Sequence, residues 1–160
     1  MKENNTNIFR NKKDMKTITI LKIFYWTIIA ATLFVFAFIH FFVMDESEVT
    51  GSMFGDAQVE FVCQSVMILL SLAVVYVATK FSKFKWIERK MHEGTDMDYQ
   101  TISVYRLFMV GFTILLNIAC YMVFVNGSFA WLATILYFVF PFIYPSEERY
   151  KAETGKLEAE

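Results

Sequence analysis

The side chains able to do chemistry are few, and most of them sit within long apolar runs. Asn117, Gln64 and Tyr121 are polar groups in such runs, where a buried amide left unpaired costs several kcal/mol. Asn117 must therefore meet a neighbouring helix or a water-filled cavity. The plainer reading is an interhelical hydrogen bond, worth about 0.6 kcal/mol on average. The functional alternative is a ligand or ion contact on a polar path shared with Gln64 and Tyr121. Cys63 and Cys120 are the only cysteines, which excludes a disulfide framework and any CxxC redox motif. Each lies about one to one and a half turns from the same end of its apolar run, so the two share a depth. A disulfide would also need Cα atoms within about 7 Å, and small thiols are common packing residues.

Tyr105-Arg106 opens a third apolar run. A guanidinium there can bind lipid phosphate or helix carbonyl ends, and its plainer role is an interfacial anchor. His40 stands near Asp45, Glu46, Glu48, Asp56 and Glu60. Histidine with carboxylates suits zinc or manganese, and carboxylates alone suit calcium. The spacing matches no established site, however, and acids collect wherever basic residues are excluded. There is no Gly-rich phosphate loop, HExxH or GxSxG. The expectation is no catalytic set, no cofactor and no resident metal.

The elements that must position these residues follow from composition. Apolar residues make up 56% of the 160-residue chain and aromatics 18%, including 18 Phe. A soluble domain of this size has too much surface to bury such a load. Four runs approach the roughly 20 residues needed to cross about 30 Å of hydrocarbon: 23–44, 61–79, 107–125 and the shorter 129–144. The first is too long for a signal-peptide core and reads as a retained anchor. None of the four contains Asp, Glu, Lys or Arg, which argues against a proton-coupled antiporter or a voltage sensor.

All 15 Lys and Arg residues fall in 1–22, 80–106 and 145–160. The acidic segment 45–60 and the turn 126–128 hold none. The positive-inside rule then places both termini and the middle segment in the cytoplasm. The fold class is all-α: an integral membrane four-helix bundle, N-in and C-in. Asn126-Gly127-Ser128 is a tight turn whose first two residues tolerate positive φ, making spans three and four a helical hairpin. Its sequon pattern lies too close to the bilayer for glycosylation.

Residues 1–15 read as a disordered polar tail. In 80–106, Phe84, Ile87 and Met91 recur at helical spacing, fitting either an amphipathic helix on anionic headgroups or a continuation of span two past the aromatic belt. Pro141 should break the regular bonding of span four, and Ser146 should cap a short helix opened by Glu147 and Glu148. Thr27 with Ala31, and Ala130 with Thr134, are small-residue pairs suited to helix contacts.

Tyr105-Arg106, Asn126-Gly127 and Pro145-Ser146-Glu147 together make residues 98–150 resemble small uncharacterised bacterial four-span membrane proteins. The resemblance implies the same topology and no particular activity. The function expected is that of a structural or accessory protein of a bacterial inner membrane, assembling with itself or with a partner membrane protein and not with nucleic acid. Against it stand a small transporter or channel subunit using Asn117, and a membrane thiol or metal enzyme.

Overall fold

The computed structural model describes residues 2–43, 50–53, 55–80 and 84–154, which are helical with no strand among them. Helix α1 is Lys2–Phe38 and runs on into a π-helical segment, Ile39–Val43. Helix α2 is Ala57–Lys80, α3 Lys85–Glu93, α4 Asp96–Phe124 and α5 Gly127–Tyr137. A 3₁₀ turn, Phe140–Ile143, and helix α6, Glu147–Glu153, follow. Among the described residues, three helices are long and apolar enough to cross a membrane, or up to four if Gly127–Ile143 and Glu147–Glu153, bent by 76°, form one broken span.

Helix α4 is the centre of the structure. It packs against α1, α2 and α5, and 44% of its most apolar stretch is buried, against 17% for α1. Its inward face carries Leu107, Val110, Ile114 and Ile118, which meet Tyr25 of α1, Val74 and Ala78 of α2, Ala133 and Leu136 of α5, and Phe140 and Ile143 of the 3₁₀ turn. Gly111 allows a close approach, since an added Cβ there would lie 2.6 Å from Ile28 Cγ2 of α1. Outward faces stay apolar: Phe34, Phe41, Phe42, Leu69 and Leu72 are all well exposed, as lipid-facing side chains should be.

Several expectations need correction. The backbone is helical from Lys2, not disordered over 2–15. The apolar residues of 80–106 divide: Phe84 stays exposed, and the apolar stretch that begins at Ala57 runs on to Ile87. Ile87 and Met91 of α3 are buried with Ile18, Leu21, Tyr99, Ile102 and Tyr150. Thr27 and Ala31 face outward, and the close helix contact uses Gly111 instead.

The hairpin turn forms where expected, with a different residue in the left-handed conformation. Val125 takes φ 53° and closes α4, while Asn126 has φ −103° and caps α5, its Oδ1 accepting from Ser128 N at 2.8 Å. A β-branched residue there is strained by about 1–3 kcal/mol. Two things fix it: Val125 N donates to Tyr121 O at 2.8 Å, and Asn126 Nδ2 donates to Glu60 of α2. The segment before α2 is also tied to this corner, through Gly51 N to Met122 O (3.0 Å) and Met53 N to Val123 O (3.4 Å).

Pro141 sits in the first turn of the 3₁₀ helix, where its missing N–H costs nothing. Ser146 caps α6 as expected, its Oγ accepting from Arg149 N at 3.1 Å.

Candidate functional site

Three polar centres are built around α4. The first lies at mid-helix. Asn117 is fully enclosed. Its Nδ2 donates to Thr113 O at 2.9 Å and to Ser71 Oγ on α2 at 3.3 Å. Asn117 Oδ1 has no hydrogen-bond partner among the described residues. Gln64 and Tyr121 do not join it. Gln64 is half-exposed, and Tyr121 OH lies 3.3 Å from Nδ1 of His40, which the π-helical segment of α1 carries.

The second centre lies at the end where α1, α3, α4 and α6 meet. Arg106 is only 1% exposed, and its Nη1 donates to Glu153 Oε1 of α6 at 3.1 Å. Arg149 Nε donates to the same oxygen at 2.8 Å, and its Nη1 donates to Phe142 O. Two guanidiniums thus share one buried carboxylate. Arg106 is therefore turned into the protein, while its neighbour Tyr105 is exposed.

Beside this pair, Tyr150 OH stands 2.8 Å from both Asp14 Oδ1 of α1 and Asp96 Oδ1 of α4. One phenol hydrogen is shared between carboxylates on two helices. Burial, reinforced by the hydrogen bonds to Asp96 and Asp14, pushes the phenol well above its ordinary value. Tyr150 also packs edge-on against Tyr99, ring centroids 4.8 Å apart.

Burial alone would raise the Glu153 carboxyl, but Arg106 and Arg149 outweigh it and hold the group below its ordinary 4.5. A carboxyl depressed by folding adds stability above its unfolded value, and that stability is lost as pH falls through the folded value. Acidifying the detergent-solubilised protein from about pH 7 towards pH 3 should therefore lower its thermal midpoint steeply below about 4.5. Glu153→Gln should start lower and show a flatter acid limb. An unchanged acid limb in that variant would remove Glu153 as its source.

The third centre is at the opposite, hairpin end. Cys63 of α2 and Cys120 of α4 are free and half-buried, with their sulfurs 3.6 Å apart. They pack against Met67, Phe124 and Phe129. The shared depth expected from sequence is thus joined by a shared face.

Among the described residues no group of three or more His, Cys, Asp or Glu could hold a metal. Asp45, Glu46 and Glu48 lie outside them. Asp56 Oδ1 accepts from Val59 N at 3.3 Å near the start of α2, and Glu60 is bonded to Asn126. Neither turns toward His40 as a ligand partner.

Glu153, Tyr150, Asp14, Asp96 and Ser71 were not singled out from sequence. Each reads as an ordinary polar residue until long-range packing encloses it or pairs it. Comparison with protein-family models, curated proteins and solved structures gives no significant match to this chain.

Proposed function

We propose that this chain is a non-enzymatic accessory or structural protein of a bacterial inner membrane, folded as a four-helix bundle with both termini in the cytoplasm. The observation that carries the reading is Asn117. Its NH2 group is spent on Ser71 and Thr113 inside a closed core, and Gln64 and Tyr121 lie apart from it. A conducting path would instead need these polar groups on one continuous lining.

The charge pattern supports the orientation. Asp14, Asp96, Arg106, Arg149 and Glu153 come together at one end, the end where the basic segments of the sequence also lie. Anionic headgroups would meet the exposed lysines there. The resemblance of 98–150 to small bacterial four-span proteins agrees with this topology. The broad apolar outer faces of α1 and α2 suit assembly with a second copy or another membrane protein.

Reconstitution into vesicles tests the reading. The wild-type protein should release no encapsulated ions or small solutes beyond protein-free vesicles, and should cross-link to a defined oligomer or partner. Asn117→Leu combined with Ser71→Ala removes both ends of a buried hydrogen bond, so stability should change by no more than about 1 kcal/mol, with assembly unaltered. Solute-specific flux in the wild type, abolished in that double variant, would make the chain a transporter.

A further inference from the structure

We propose that Cys63 and Cys120 are a thiol pair that closes to an intramolecular disulfide by exchange with an external disulfide. This goes beyond the accessory role and does not rest on it. The sulfurs are 3.6 Å apart on adjacent helices, and an S–S bond of about 2.05 Å needs them only about 1.5 Å closer. Side-chain rotation supplies much of that, and the helices are already held together here by the Asn126–Glu60 bond and the backbone bonds from Gly51 and Met53 to the end of α4.

Both thiols are half-buried, but only Cys63 borders a groove. An open groove of about 310 Å³ is lined by Gln58, Val59, Val62 and Cys63. Cys120 does not line it. Gln58 lies in the first turn of α2, and Cys63 about 7–8 Å further along the helix. An attacking reagent thus reaches Cys63 from the helix end without entering the core. The pair also lacks the ligands for the other common use of two thiols, since no group of three or more His, Cys, Asp or Glu forms among the described residues.

The chemistry runs in two steps. The Cys63 thiol displaces one half of an external disulfide R–S–S–R, giving Cys63–S–S–R and one R–SH. The Cys120 thiol then attacks Cys63 Sγ, forming the Cys63–Cys120 bond and releasing the second R–SH. The protein loses two hydrogens and two electrons, and the external disulfide is reduced to two thiols. The product joins α2 to α4 across 57 positions of sequence.

Dithiodipyridine, a small apolar aromatic disulfide whose thiopyridone product absorbs light, is the probe. It is added to the reduced full-length protein in detergent, followed by intact-mass measurement and denaturing alkylation. The wild type should release two thiopyridones per chain, retain no pyridyl adduct, lose two hydrogens in mass and stay monomeric on a non-reducing gel. Cys120→Ser should stop at one stable pyridyl adduct on Cys63. Cys63→Ser should react roughly ten-fold more slowly, because its remaining thiol lies off the groove. Adducts retained on the wild type, both thiols still open to alkylation, or bonds only between chains would each overturn the proposal. The wild-type outcome decides even if a variant misfolds.

Discussion

Glu153→Ala is expected to destabilise the folded chain by about 3–5 kcal/mol, since it leaves a buried cation without its counter-charge. The stranded group is Arg106, 1% exposed. Arg106→Ala should cost less, because Glu153 then keeps Arg149 at 2.8 Å. Arg149→Ala should cost least, as its side chain is 20% exposed and water can replace part of its partner. The order of the three variants carries more information than any one value. Replacing Glu153 and Arg106 together by leucine removes both charges from the interior and should recover much of the single-variant loss. Equilibrium unfolding in mixed detergent micelles would read all four. A double variant no more stable than Glu153→Ala would mean that the stranded charge is not the source of the loss.

Gly111→Ala should cost about 1–3 kcal/mol, a large effect for one methyl group. The new Cβ would lie 2.6 Å from Ile28 Cγ2, and that atom is not the tip of a flexible side chain. It branches from Cβ of a residue whose χ1 is nearly fixed in a helix. Helix α1 would have to move away from α4, loosening the contacts of Tyr25 with Phe140 and Tyr144, whose ring centroids lie 5.6 and 5.2 Å away. Ile28→Ala made alongside should relieve the clash, so the double variant would be more stable than the sum of the singles predicts. Strict additivity would place the cost elsewhere.

How far the sequence could be read depended on what kind of fact was asked of it. The long apolar helices were legible because lipid imposes length and composition residue by residue. The cap at Ser146 and the break at Pro141 were legible too, since each acts within one turn of itself. Rotation about a helix axis was not. Arg106 reads as an interface residue by depth, and only the packing of α6 turns it inward. Cys63 and Cys120 share a depth on paper, but their common face depends on how α2 lies against α4. Tyr150 finds Asp14 at a separation of 136 residues, which no local pattern announces. At the hairpin, side-chain preference favoured a left-handed Asn126 or Gly127. The bonds of Asn126 to Ser128 and Glu60 hold it extended, and the strain passes to Val125.

The ion pair between α4 and α6 also sets an order of events during synthesis. Arg106 leaves the ribosome 47 residues ahead of Glu153, a lag of roughly 2–10 s at ordinary elongation rates. Through that interval the cation lacks its Glu153 partner and must stay solvated. When α6 emerges, Glu153 and Tyr150 arrive within one helical turn of each other and engage Arg106, Asp14 and Asp96 together. Helix α6 thus works as a latch: α1 and α4 receive their shared closure only once the chain has been translated past residue 153.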